Sequence, residues 1–414
     1  MSTKAMIMLN LIFKNRFLLP GILVFLSGFL EAQHPFKFDS LYNTIYVKEL
    51  CQLIQRDPDV VLIDVRSAGE FCDTSQYASL NKGHLKGAIN ITVDSIKNNI
   101  NILDPYKDKT VVLYCSHSQR SRRMSKLLSE NGHTNHYNLN GGMTSLNELN
   151  NSDFPCKEDL IVSLLKFKAL SFDKTADFIK KEKQAVIIDV RPAIQFEAKD
   201  TVAENNVGRI KDAINIPYDE FPNRINELAP YKNRPVLIYT ASGDGDGARA
   251  ATELVNNGYT KVHLLLSGIN DFIASGKSAS LVENNMPFNT INSYSALQLL
   301  KGSKKPVVFD TRTLDAYNSE LVGKMDYMNL GHINNAIHVD KPNWYSFPLT
   351  YAKNSPILVY GNEESTEFAL YLYGQGYKKV FFLLSSYYNF VWAAFNEERC
   401  KDIKQFLTDH SGLY

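Results

Sequence analysis

Short apolar, β-branched runs alternate along the chain with longer stretches in which apolar residues recur at helical spacing. Three of these runs end in Asp-x-Arg: VVLIDVR (60–66), AVIIDVR (185–191) and PVVFDTR (306–312). Their aspartates, Asp64, Asp189 and Asp310, lie 125 and then 121 residues apart. Each is followed by a Gly turn and an Ala-Ile segment, GHLKGAIN (83–90), GRIKDAIN (208–215) and GHINNAIH (331–338). A second apolar run then ends 51 positions after the aspartate in all three copies: TVVLYC (110–115), PVLIYT (235–240) and PILVYG (356–361). Agreement of that kind identifies an internal repeat, one supersecondary unit used three times.

Within a unit, the stretch 121–128 (SRRMSKLL) predicts a helix that stops at Asn131-Gly132, with a further strand near 136–139. Asn257-Gly258 is the matching stop in the second unit. Strands apolar on both faces and alternating with helices imply a mainly parallel sheet with helices on both sides, an α/β fold. Ligands in such sheets bind beyond the carboxyl ends of the strands, so the ends of the second runs are where chemistry is expected. The expected boundaries are 39–155, 166–288 and 290–414, with the polar stretch 150–159 as the first linker.

The whole chain has 414 residues, enough for about three domains. Lys and Arg number 45 against 44 Asp and Glu, so no global positive field exists to hold nucleic acid. At the N-terminus, Lys4, Lys14 and Arg16 precede an apolar run (17–30) too short to span a bilayer and broken by Pro20-Gly21. A signal peptide over 1–33, cleaved near Ala32, is the expectation, and with it a periplasmic or secreted protein without a stable membrane anchor; an uncleaved anchor or a buried helix is the alternative. The five cysteines are an odd number, leaving at least one unpaired within the chain; the state of Cys51, Cys72, Cys156 and Cys400 stays open.

One strand end carries a nucleophile. The first unit reads Cys115-Ser116-His117-Ser118-Gln119-Arg120-Ser121, a strand, a short polar loop and a helix start. Loop N–H groups and the helix dipole favour negative charge there, and a thiol in such a setting is activated toward thiolate. Arg120, Arg122 and Arg123 crowd the same helix end, an arrangement that makes sense if an anion arrives.

These motifs together resemble the rhodanese (thiosulfate sulfurtransferase) domain: LIDVR followed by Glu70-Phe71, GHLKGAIN, the Cys-x4-Arg-Ser loop, the NGH stop and LNGGM (139–143). The resemblance implies three tandem rhodanese-like domains, with Cys115 as persulfide-forming nucleophile and Ser116, His117, Ser118, Gln119 and Arg120 as the loop around the substrate. Ser118 stands where the family has Gly, in a position that disfavours a side chain. Relatives acting on phosphate or arsenate use a wider Cys-x5-Arg loop, so the shorter one here suits a single transferred sulfur. The expected partners are a small anionic sulfur donor and a thiol, protein or cyanide acceptor; no metal or organic cofactor is called for.

The second unit has Thr240 at the cysteine position and the acidic Asp244 and Asp246 beyond it; the third has Gly361 followed by Asn362-Glu363-Glu364. Both resemble catalytically silent copies. A calcium loop at 244–247 lacks the full ligand pattern. Because Asp-x-Arg and Gly-His recur in units without a thiol, Asp64, Arg66, Glu70 and His84 read as structural. His117 either binds an anion, steadies the thiolate or faces solvent. The aromatic tail, with Tyr387, Tyr388, Phe390, Trp392 and Phe395, reads as core. Two alternatives to a sulfurtransferase are a binding or scaffold protein, and a thiol-redox protein in which Cys115 pairs with Cys72 or another thiol.

Overall fold

The computed structural model describes residues 41–149, 154–243, 245–276, 278–323, 328–362, 364–384 and 386–408. The expected signal peptide therefore lies outside the described residues, as do Asp244 and Glu363. Among the described residues no helix is long and apolar enough to cross a membrane.

The first domain contains β1 (Asn43–Ile45), β2 (Val61–Asp64), β3 (His84–Leu85), β4 (Ile89–Asn90), β5 (Val111–Tyr114), β6 (His136–Leu139) and β7 (Ile161–Val162). Five of these form a parallel sheet in the order β1-β6-β5-β2-β4. The second domain contributes β8 (Lys168–Leu170), β9 (Val186–Asp189), β10 (Gly208–Ile210), β11 (Ile214–Asn215), β12 (Val236–Tyr239), β13 (Val262–Leu265) and β14 (Val282–Asn284). The third has β15 (Asn289–Ile291), β16 (Val307–Asp310), β17 (Ile337–His338), β18 (Pro356–Tyr360) and β19 (Lys379–Leu383). Their parallel sheets, β8-β13-β12-β9-β11 and β15-β19-β18-β16-β17, repeat the first order.

The central strands are buried on both faces because helices cover both sides: all four residues of β5 and of β12 are inaccessible. The predicted helix runs Gln119–Glu130 and stops at Gly132, whose φ of 78° suits a residue without Cβ.

The repeated Asp-x-Arg is a buried clamp. Arg66 donates from Nε and Nη2 to Asp64 and from Nη2 to the Gly83 carbonyl (2.6 Å). Arg191 does the same with Asp189 and Gly208 (2.9 Å), and Arg312 with Asp310 and Gly331 (2.8 Å). The tyrosine ending the second run completes the clamp: Tyr114, Tyr239 and Tyr360 hydroxyls accept from the Leu85, Ile210 and Ile333 N–H. His84 stacks on Phe71 and His332 on Tyr317, with matching contacts to the Phe71 and Tyr317 carbonyls. The Asp-Arg-Gly clamp is thus the same in all three domains, with or without a cysteine at the strand end.

The stretch 150–159 does not behave as a free linker where it is described. Phe154 is buried in the first core, Cys156 is disulfide-bonded to Cys51, and β7 pairs antiparallel with β3. The described part of this stretch, and the residues on to Val162, therefore pack against the first domain. Apolar anchoring of Phe154 and the crosslink outweigh the polar composition that suggested a linker. An equivalent return strand, β14, pairs with β10 in the second domain.

Candidate functional site

Cys115 follows β5 at the carboxyl edge of the first sheet and is 1% exposed. Its thiol is free, as are those of Cys72, which is exposed, and Cys400, which is buried. Among the described residues, the hydrogen bond to Sγ comes from Ser121 Oγ at 3.7 Å. Ser121 is itself fixed by the Ser118 carbonyl and Asn138. Among the described residues, no hydrogen bond to the sulfur comes from the loop amides expected to encircle it, and Cys115 belongs to a buried apolar cluster with Val65, Leu113 and Met124.

The loop is closed by the turn after β6. Met143 N–H donates to the Cys115 carbonyl and Thr144 N–H to that of Ser116. This approach requires glycine: a Cβ on Gly142, which has φ of 52°, would collide with the Cys115 carbonyl. The second domain repeats the closure, with Ile269 and Asn270 N–H donating to the Thr240 and Ala241 carbonyls.

Ser118 adopts φ of 72°, the left-handed conformation that its place in the loop demands. Such a conformation costs a non-glycine residue on the order of 1–2 kcal/mol. The hydroxyl offsets part of this by accepting from Gly141 N–H (2.5 Å) and donating to the Leu139 carbonyl (3.3 Å). A serine at the glycine position is thus used as a tie between the loop and the Gly-Gly turn.

Arg120 turns back across the loop. It donates through both terminal nitrogens to Glu70 (2.7 Å each) and to Ser116 Oγ (2.9 Å). Hydrogen bonding to Glu70 holds Arg120 above its ordinary range against the opposing effect of burial, with Cys115 adding to the hold. Burial pushes Glu70 up, but Arg120 and Ser67 together bring its carboxyl below the ordinary range. Glu70, read from sequence as structural like Asp64 and Arg66, is therefore different from them: it orients the loop arginine. The corresponding positions in the second and third domains are Gln195 and Ala316, and among the described residues no equivalent pair forms there.

Burial first, then the charges of Lys82 and Arg120, bring His117 down to about 4. Its ring is neutral near pH 7, held by Ser116 Oγ (3.0 Å), so it offers no positive charge to an anion.

The third domain closes over this loop. Gln119 Nε2 donates to Tyr388 Oη (3.3 Å), and His117 meets Trp392 edge-on at 6.4 Å. Arg122, expected beside an incoming anion, is buried instead and donates to Asn140, the Phe395 carbonyl and Asn396. Arg123 is exposed. In the aromatic tail Tyr387, Phe390 and Phe395 are core, as expected, whereas Tyr388 and Trp392 face a cleft in front of the Cys115 loop.

The two other strand ends differ in kind. Thr240 is buried at 3% exposure, and Asp246 pairs with Arg249. At Gly361 the space for a side chain is already filled by the Thr311 and Ser365 hydroxyls, which hydrogen-bond to each other (2.6 Å).

Fold and repeat together define the class. The rhodanese-like domain matches at residues 47–149, 171–275 and 293–392, and the chain belongs to that family. Among individual proteins, YqhL of Bacillus subtilis is 42% identical over 81 residues, 20% of this chain and 56% of that protein. The thiosulfate sulfurtransferase GlpE of Shewanella oneidensis is 27% identical over 111 residues, 27% of this chain and 98% of that protein. A tRNA uridine(34) hydroxylase of Erwinia tasmaniensis is 29% identical over 91 residues, 21% of this chain and 23% of that protein. The chain thus spans about half of the first of these relatives and about a quarter of the last.

Proposed function

We propose that the protein is a sulfurtransferase in which Cys115 carries sulfane sulfur. The observation that supports this most is the placing of one thiol in three equivalent strand ends, in the single loop that also has the Glu70–Arg120 pair. The relative named as a thiosulfate sulfurtransferase points the same way.

With thiosulfate as donor, the Cys115 thiolate attacks the outer sulfur. A new S–S bond forms while the sulfur–sulfonate bond breaks, and sulfite leaves with the bonding pair. An acceptor thiolate then attacks the outer sulfur of the persulfide. The Cys115 S–S bond breaks, its electrons return to Sγ, and the acceptor leaves as a persulfide. Two displacements through a covalent intermediate make the kinetics ping-pong. The buried position of Sγ fits a carrier role, because an added sulfur extends about 2 Å beyond it. That added atom, rather than Sγ, would then meet the loop amides and Ser116.

Incubation with thiosulfate followed by intact-mass measurement tests the reading. A gain of one sulfur that is absent in Cys115→Ser is the expected result; no gain in the parent protein overturns it. The Cys51–Cys156 disulfide supports placing the protein in an oxidising compartment, periplasmic or secreted. Cell fractionation checks that placement, and recovery in the cytosol refutes it.

A further inference from the structure

The cleft in front of the Cys115 loop has a volume of about 520 Å³, in the range of small-molecule sites. His117 and Gln119 of the loop line one wall, and Tyr388 and Trp392 line another. Each domain also contributes one carboxylate to it: Glu148, Asp271 and Glu397. Transfer of sulfur onto Cys115 uses none of these three.

Their environment is unusual for surface acids. Among the described residues, Glu397 is paired with Arg399, whereas the carboxylates of Glu148 and Asp271 make neither a hydrogen bond nor an ion pair. Burial raises Glu148 to about 7, with Lys82 opposing and Asp271 and Glu397 adding to the rise. Burial and then Glu397 raise Asp271 to about 6. Lys82 directs its ammonium to Thr144 Oγ1 (2.8 Å). A separate observation points to a missing ligand: Ser267, 8% exposed, lines the same cleft with a buried Oγ that has no hydrogen-bond partner among the described residues. Three carboxylates line the cleft with two cations, Lys82 and Arg399, beside two aromatic rings, and a cation arriving next to Glu148 and Asp271 would favour their ionised forms. The groups are not disposed as a metal site, since no cluster able to hold an ion occurs among the described residues.

We infer that this cleft is the acceptor site and that it selects a small thiol bearing a protonated amine. The ammonium sits between Glu148 and Asp271, with Ser267 Oγ as a further acceptor and Tyr388 and Trp392 as its aromatic flank, while the thiolate end approaches His117 and the loop. An anionic thiol meets the same carboxylates as repulsion. This inference rests on the sulfurtransferase reading for its transfer step but not for its binding step.

Two measurements separate them. In the first, protein loaded with thiosulfate and freed of donor receives cysteamine, 2-mercaptoethanol or 3-mercaptopropionate at equal thiolate concentration, and loss of the added sulfur is followed by mass. Cysteamine is expected to discharge the persulfide at least about tenfold faster than 3-mercaptopropionate, the equivalent of one charge-assisted contact. In Glu148→Gln and Asp271→Asn that ratio falls toward one. Equal rates for the three thiols, or a ratio unmoved by both variants, overturn the inference. In the second, cysteamine is titrated into unloaded Cys115→Ser protein and the fluorescence of Trp392 is read, with Trp392→Phe as blank. Saturable binding weakened by Asp271→Asn supports the amine site even if the first experiment shows no persulfide, in which case only the sulfurtransferase reading falls. Loading without amine binding removes the inference and leaves that reading intact.

Discussion

The first and third domains have the same sheet order, the same Asp-Arg-Gly clamp and the same stacked histidine, yet their strand ends have been put to different uses. In the first, the residue after the tyrosine is a cysteine held in a loop braced by Glu70, Arg120 and Ser118. In the third, it is Gly361, with Thr311 and Ser365 packed into the place of a side chain. The frame and the chemistry are therefore separable: buried ion pairs keep the turn in place whatever the loop does, and reactivity depends on a few side chains laid over it. The third domain has moved further than the second, whose Thr240 still occupies a side-chain site of nearly cysteine size.

The largest effect expected is loss of all sulfur loading in Cys115→Ser. In that background, Thr240→Cys should fold normally and remain unloaded, because Gln195 replaces Glu70 and no loop arginine is paired. Gly361→Cys should fail differently, lowering the stability read in denaturant unfolding by the overpacking cost of about 1–3 kcal/mol. Loading of Thr240→Cys at the rate of Cys115 would show that the fold alone suffices.

Next comes the Glu70–Arg120 pair. Glu70→Ala leaves Arg120 without its partner and should cost about 3 kcal/mol in denaturant unfolding, at the lower end for a broken buried pair because Arg120 is partly exposed. Arg120→Glu sets two carboxylates against each other and should slow loading by about a hundredfold, or roughly 2.7 kcal/mol. An unchanged rate would remove Arg120 from the donor site.

A smaller contrast separates two changes at Ser118. Ser118→Ala keeps the left-handed strain and loses the hydroxyl tie, for a loss of about 1–3 kcal/mol. Ser118→Gly loses the tie but relieves the strain, so it should be more stable than the alanine variant by about 1 kcal/mol. The reverse order would mean that the left-handed strain at this position does not bear on stability.

A further contrast lies in pH dependence. Glu148 and Asp271 hold their protons more tightly folded, at about 7 and about 6, than unfolded, at about 4. Their stabilising contribution is complete below about pH 4 and is lost as the pH rises through the folded values. Glu148→Gln and Asp271→Asn should therefore gain thermal stability relative to the parent between about pH 5 and about pH 8. A difference that does not change with pH would place these carboxylates in ordinary solvent.

The repeat, the parallel sheet and the Cys115 loop are legible in the sequence because each recurs at fixed spacing or breaks a pattern at one position, whereas the order of the strands is not. The functions of Asp64 and Arg66 follow from their presence in silent copies. Other features carry no period. Glu70 looked like part of the frame because it stands near Asp64, and only the fold shows it reaching 50 residues on to Arg120. Arg122 looked like an anion ligand because helix position says nothing about the neighbour that buries it, here Asn396, some 274 residues away. Segment 150–159 was polar enough to read as a linker, whereas one phenylalanine and one cysteine anchor it. The cleft carboxylates come one from each domain, at positions that are not equivalent in the repeat, so no alignment of the three copies would bring them together.

The crosslink from Cys51 to Cys156 encloses nearly the whole first domain, 105 residues from end to end, and removing such a closure from an unfolded chain costs about 4–5 kcal/mol. It sits in the same protein as a centre whose proposed co-substrates are thiols, and every thiol is also a reductant. Cys51 is only 6% exposed, whereas Cys156 is partly buried, so an attacking thiolate meets the bond from the Cys156 side. The same co-substrate that empties one sulfur thus bears on the staple that holds the domain closed, and the two reactions compete for it.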